Sequence, residues 1–417
     1  MRIHPALGLT SIVWLWFSSL STYAAEVPPQ KQSLAIPLAA AGRPAGSVEC
    51  LVTRGSTLPL AALAFSPDGK TLAVGGYEEV LLWDLGGAKL AKRIATAGQV
   101  GAVAFLKDGK TLVVGTGTPS SSGAVVALDV ATGKEAFRFA GPTDVVHSLA
   151  LSPDGKFLAA SGPYEPVHVW NLDEKKLATT IQEHHGWVLN VSFSANGKFL
   201  ATAGDDNTAR IWEVGSWKPV IVFADVQPVR GAAFHTDEIQ VLLAVGGPNE
   251  CGLRLRRMDK PPSRRMYGTG VAMPLGLVGP TQANSVYVPC TDKTVKVFDI
   301  TNGRLLANLS GHQDWVYAVA ISSDETRLAS GSADGTVKLW ATKDNRLLAT
   351  LVQLAPRTDE WLVMTTEGYF ATSSPGALAW KAENLSTPPD ELRKQLQSPE
   401  SVGKAIAGEK IAPPTLK

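Results

Sequence analysis

Histidine, cysteine and arginine carry most of the chemistry this sequence could support. Past His4 the histidines are His147, His168, His184, His185, His235 and His312, and none falls in a His-x-His or His-Glu-x-x-His spacing that would gather a metal. No Gly-x-Ser-x-Gly elbow presents a nucleophilic serine, and no glycine-rich loop opens a helix to cradle phosphate. Cys50, Cys251 and Cys290 allow at most one internal disulfide, and none lies in the Cys-x-x-Cys-His arrangement that attaches haem. Three buried or half-buried thiols, rather than a Cys251–Cys290 bridge, are the expectation. The sequence therefore predicts no catalytic residue, cofactor or metal site.

Other residues suit binding. The stretch RLRRMDKPPSRR holds Arg254, Arg256, Arg257, Lys260, Arg264 and Arg265 against Asp259 alone, which fits an acidic partner or else a solvated outer strand. Trp187, Trp315, Tyr77 and Tyr164 fall near loops that join repeats, where large aromatics anchor interfaces or pack between neighbours. The loop TGTPSSSG from Thr116 is small and polar, and is expected to be mobile rather than adhesive.

These side chains are positioned by a repeated unit. The phrase LAFSPDGKTLAVGG from Leu63 recurs as VAFLKDGKTLVVG from Val103, LALSPDGKFLAASG from Leu149, VSFSANGKFLATAG from Val191 and, more loosely, VAISSDETRLASGS from Val319. Apolar residues alternate on both arms of each copy, and the turn offers Asp or Asn followed by Gly, which describes a β-hairpin. The apolar residue before each turn is Phe65, Phe105, Leu151, Phe193, Phe234 or Ile321, with one degraded copy between the last two. A period of about 40 to 45 residues holding four short strands predicts propeller blades in an all-β fold.

Two copies add a further signature. His184, Thr202, Asp206 and Trp212 repeat the spacing of His312, Ser330, Asp334 and Trp340, with 28 residues from His to Trp and six from Asp to Trp. The chain from about residue 55 to 352 thus resembles the WD-repeat β-propeller family, and the apolar leader described below suggests an exported, bacterial-type member. The resemblance implies that each quartet forms a hydrogen-bonded set tying a loop to its own blade. A buried indole and imidazole need partners in any case, and a hydroxyl and a carboxylate supply them. Tyr77 and Tyr164 stand where the pattern expects Asp, and Phe298 replaces Trp although Asp292 is kept, so those blades should rely on packing.

Seven repeats are clear and a degenerate eighth is suggested. Val48 to Thr53 reads as an additional outer strand, and WLVMTTEGYFATS from Trp361 repeats the hairpin pattern with Thr365-Thr366-Glu367-Gly368 at its turn. Pairing of Val48 to Thr53 with the 359–382 region would close an eight-bladed ring and remove its open edges. The alternative is seven blades with the 360–380 hairpin docked outside.

The chain divides into an expected signal peptide (1–25), a flexible lead-in (26–45), the propeller (46–382) and a tail with short helices (383–417). Arg2, the uncharged run ALGLTSIVWLWFSSL and the small residues before Glu26 have the layout of a secretory leader, too short for a bilayer span. Export to the periplasm or medium is the expectation, with no membrane span once the leader is cleaved. Lys plus Arg total 39 against 38 Asp plus Glu, which provides no broad cationic field for nucleic acid. The predicted function is a monomeric, non-catalytic platform binding a protein or peptide through propeller loops. The alternative is a hydrolase-type propeller enzyme with a site at the channel mouth.

Overall fold

The computed structural model describes residues 30–36, 48–54 and 58–414, apart from 236, 238, 248–249, 260–263, 269–271, 280–283 and 383–388. The expected leader, 1–25, lies outside them.

The hairpin phrase folds because its turn satisfies itself. In the first copy Ser66 Oγ donates to Asp68 Oδ1 at 2.6 Å and accepts from Thr71 N at 2.9 Å, while Asp68 Oδ1 accepts from Lys70 N at 3.0 Å. Gly69 then takes φ +67°, a left-handed conformation that costs glycine little. The looser copy keeps the Ser322–Asp324 contact but forces Glu325 to φ +55° in place of glycine.

Each such hairpin supplies two strands of a four-stranded antiparallel meander. Blade 1 runs Ala62–Phe65, Thr71–Gly75, Glu79–Asp84 and Lys89–Ala95. Blades 2 to 5 begin at Gln99, Ser148, Val188 and Val229. Blade 6 has three full strands, Ser285–Pro289, Val295–Asp299 and Leu305–Leu309, and its innermost segment joins only through bridges at Pro274–Cys290 and Val278–Tyr287. Blade 7 runs Val316–Ile321, Arg327–Ser332, Thr336–Ala341 and Leu347–Gln353.

The ring has seven blades. Between blades 1 and 2, 3 and 4, and 6 and 7, the residue leading into the next inner strand donates a 3.2 Å backbone hydrogen bond backwards: Val100 N to Gly76 O, Val188 N to Gly162 O, and Val316 N to Cys290 O. Leu60 N makes the same 3.2 Å bond to Ser332 O, joining blade 7 directly to blade 1. Gly331 permits that approach, since a Cβ there would meet Leu60 O at 2.9 Å. Each of the seven junctions has its own apolar core, that at the closure holding Leu60, Phe65, Leu81, Trp83, Val337, Leu339 and Leu351 among others.

An eighth blade in the ring is thereby excluded. Val48–Arg54 does pair antiparallel with Leu378–Ala382, but outside the ring. Trp361–Thr365 and Phe370–Thr372 extend the outer edge of blade 7, and Cys50, Val52, Leu362, Phe370 and Leu396 share a small core beside it. Gln30–Ile36, placed by sequence in a flexible lead-in, is a strand on Val48–Arg54 in full register. Two short helices follow, α1 (Pro389–Leu396) and α2 (Pro399–Ile406), and Val402 and Ile406 of α2 join the core at the closure. No helix among the described residues is long and apolar enough to cross a membrane.

Candidate functional site: the channel mouth

The two quartets are assembled as hydrogen-bonded chains. Trp340 Nε1 donates to Ser330 Oγ at 2.9 Å, Ser330 Oγ meets His312 Nε2 at 2.9 Å, and His312 Nδ1 meets Asp334 Oδ2 at 3.1 Å. In blade 4 Trp212 Nε1 donates to Thr202 Oγ1 at 3.1 Å, Thr202 Oγ1 meets His184 Nε2 at 2.7 Å, and His184 Nδ1 meets Asp206 at 2.9 Å. A neutral imidazole that accepts from the hydroxyl at Nε2 and donates to an ionised carboxylate at Nδ1 satisfies every group in the chain, with the hydroxyl accepting from the indole in turn. Burial lowers the pKa of both histidines. Each set ties a loop to its own blade, with the His and Asp side chains largely buried.

The departing blades solve the same problem differently. Trp170 Nε1 donates to the Ala140 carbonyl at 3.0 Å with His168 stacked on its ring. Phe298 has no N–H to satisfy. Trp83 Nε1 is buried with no hydrogen-bond partner among the described residues. A Trp340→Phe exchange should therefore cost about 1–2 kcal/mol more than Trp83→Phe in denaturant unfolding, because only the first leaves a hydroxyl without its donor. Equal losses would mean that the Trp340–Ser330 bond adds nothing to stability.

Two arginines of the basic stretch, Arg254 and Arg256, do not lie on the surface. Arg254 is 0% exposed, with contacts to Glu250 at 2.9 Å and Asp225 at 3.5 Å, and Arg256 reaches Asp225 at 2.9 Å. They lie on the third strand of blade 5, which neighbouring blades cover on both faces, while Leu253 and Leu255 alternate into the blade 5–6 core. Arg257 is half-exposed and pairs with Asp259. The side chains of Arg264 and Arg265 lie outside the described residues, although their backbone forms the outer strand.

The four aromatic candidates separate. Tyr77 lies at the closure between blades 7 and 1, with the Arg357 guanidinium 5.9 Å from its ring. Trp315 packs edge-on to Tyr317 at 6.4 Å. Tyr164 and Trp187 come together at the channel, edge to face at 6.0 Å, and Trp187 lies 5.7 Å from His147. Tyr164 is 76% exposed and held at φ +51°.

Beneath them is a recess of about 160 Å³ lined by one residue from the same column of every blade: Ala61, Gly101, His147, Leu189, Arg230, Leu275 and Tyr317. Four of these, Gly101, Leu189, Arg230 and Tyr317, fall at β-bulges of the inner strands, and a bulge re-aims the extra residue. In the six copies with a clear hairpin this column lies four residues before the apolar turn residue, so the repeat alignment contained it; what sequence reasoning lacked was the bulge that turns it inward. Leu63, Val103, Leu149, Leu277 and Val319 continue an apolar wall further along the channel.

Electrostatically the mouth is simple. Burial depresses His147 to a pKa of about 4, so its imidazole is neutral near pH 7. Arg230, 8% exposed, donates from Nε to Gly246 O at 3.0 Å and is the one charged side chain among the described lining residues of both recesses. Asp205 stands behind Trp187 and accepts from its backbone N–H at 2.6 Å. The described residues hold no grouping of three His, Cys, Asp or Glu that could bind a metal ion. Cys50, Cys251 and Cys290 are unbridged, and burial pushes the Cys50 and Cys290 thiols up to about 12.

Comparison with known proteins agrees with the repeat pattern. Residues 48–84, 133–163, 175–213 and 303–341 match the family described as WD domain, G-beta repeat. Among curated proteins the chain is 43% identical over 60 residues to the small ribosomal subunit protein RACK1y of Oryza sativa subsp. japonica, covering 14% of this chain and 18% of that protein. It is 51% identical over 47 residues to the intraflagellar transport protein 122 homolog of Homo sapiens, covering 11% of this chain and 4% of that protein. The mouse counterpart is 49% identical over the same length. The chain spans less than a fifth of each of these relatives.

Proposed function

We propose that this WD40-repeat β-propeller is a non-catalytic, monomeric platform outside the cytoplasm that binds a protein or peptide at the mouth of its channel. The observation that carries the reading is Tyr164, a large aromatic held exposed against Trp187 at the lip of a recess. Exposed aromatics over a concave, mostly apolar site are what interface anchors look like. The setting outside the cytoplasm rests on the leader-like residues 1–25.

A hydrolase reading finds less support at the same place. A histidine of the triad type pairs with a nucleophile on one side and an orienting carboxylate on the other. His147 Nδ1 has no hydrogen-bond partner, and no carboxylate pairs with this imidazole among the described residues.

Affinity capture from the envelope and medium fractions tests the platform. A specific partner should be retained by the natural chain and lost by about 30-fold or more in a Tyr164→Ala, Trp187→Ala variant, the size of an interface hot spot. Undiminished capture by that variant removes the channel mouth from the reading. N-terminal sequencing of the recovered protein tests export: a start near Glu26 supports it, and an intact Met1 on the bulk of the protein overturns it.

A further inference from the structure

Blade 5 buries three arginines, and they are not treated alike. Arg254 and Arg256 each have carboxylates of the chain beside them, Asp225 for both and Glu250 for the first. Arg230 has none: among the described residues no carboxylate lies within ion-pair distance, its Nε is spent on a backbone carbonyl, and its Nη2 has no hydrogen-bond partner. A guanidinium removed from water without a counter-charge is costly, and chains normally supply the partner. Asp205, the carboxylate whose charge acts on Arg230, accepts from the Trp187 backbone N–H instead of pairing with the guanidinium.

The surroundings specify what is missing. Arg230 opens onto the recess, where its neighbours Leu189, Leu275, Val145, Pro119 and Trp187 are apolar or aromatic and His147 is uncharged. One buried cation in such walls matches one negative charge, and a guanidinium fork matches a planar carboxylate in two parallel hydrogen bonds. At about 160 Å³ the recess is below the usual range for whole small-molecule ligands and suits a single residue.

We propose that the channel mouth is a carboxylate-binding site in which Arg230 anchors a carboxylate of a bound peptide, either a chain's C-terminus or an acidic side chain. The proposal rests on the platform reading and adds the chemistry of the bound group. Trp187 and Tyr164 then cover the adjoining part of the peptide.

Calorimetric titration of the full chain with three probes decides it: N-acetyl-Leu-Phe as the free acid, the same dipeptide as its C-terminal amide, and N-acetyl-Leu-Glu-amide. At least one carboxylate probe should bind about tenfold or more tightly than the neutral amide, and which one does so identifies terminus or side chain. Arg230→Gln should erase that preference, and Arg230→Lys should restore part of it, with thermal melting to show that each variant is folded. Equal affinities for all three probes, no binding by either acid, or a preference that survives in Arg230→Gln overturns the proposal. The comparison among probes on the natural chain needs no variant. Capture of a partner that depends on Tyr164 and Trp187 yet ignores the carboxylate would reject this site chemistry and leave the platform standing.

Discussion

Replacing Asp334 by alanine should lower the unfolding free energy by about 3–5 kcal/mol, the cost of breaking a buried charge network by removing one member. The Asp334 carboxylate accepts from His312 Nδ1, from the backbone N–H of Gln313 at 2.7 Å, and from both the N–H and the hydroxyl of Thr336 at 2.9 and 2.7 Å. Those donors make the ionised form so favourable that its pKa falls well below the usual carboxylate range despite burial. Alanine would leave several of them in the blade without an acceptor. Asp292→Ala is the matched control, because its blade carries Phe298 in place of tryptophan and Asp292 is partly exposed beside Lys296. That exchange should cost about 1 kcal/mol or less. Denaturant midpoints of the two variants side by side give the answer, and comparable losses would mean that the quartet adds nothing beyond an ordinary turn.

Acid should unfold this protein earlier than carboxylate titration alone would bring about. Burial lowers the pKa of His147, His168, His184 and His312 in the folded chain, His147 to about 4 from 6.5. Above pH 6.5 these groups are neutral folded or unfolded and stability does not depend on them. As pH falls from 6.5 towards 4 the unfolded chain takes up protons that the folded one refuses, so stability declines through that window. His147 alone accounts for about 3 kcal/mol of the decline at about 1.4 kcal/mol per pKa unit. The denaturant midpoint should be level from pH 7 to 9 and fall steadily from 6.5 to 4, with a shallower fall in His147→Leu. An unchanged midpoint at pH 4.5 would show that these imidazoles are more hydrated than their surroundings indicate.

The blades were legible because a blade is local. Turn chemistry at Ser66-Pro67-Asp68-Gly69, strand alternation and the His–Trp spacing all act within about 40 residues, so the repeat carries them. What joins residues far apart in sequence was harder to read. Val48 to Thr53 was recognised as a strand paired with the 359–382 region, yet whether that pairing closed the ring turned on Leu60 meeting Ser332 across the whole chain. The arginines at 254 and 256 read as a surface because a run of cations usually is one; here blades stack on both faces of the strand and Asp225 arrives from the preceding blade. Arg230 and His147 were passed over for a third reason. Their column was visible, but that it lines the channel follows only from the assembled ring, in which a bulge re-aims Arg230 and His147 reaches the recess without one.

The closure between blades 7 and 1 also has a consequence in time. Every blade is built from consecutive strands, and no strand from one end of the chain completes a blade at the other. The face of blade 1 carrying Phe65, Leu72, Leu81 and Trp83 therefore waits, uncovered, until Leu339 and Leu351 have been made, and α2 seals it later still. During synthesis the nascent ring is an open arc with its stickiest surface at its oldest end, and that interval is when it most needs protection from its neighbours.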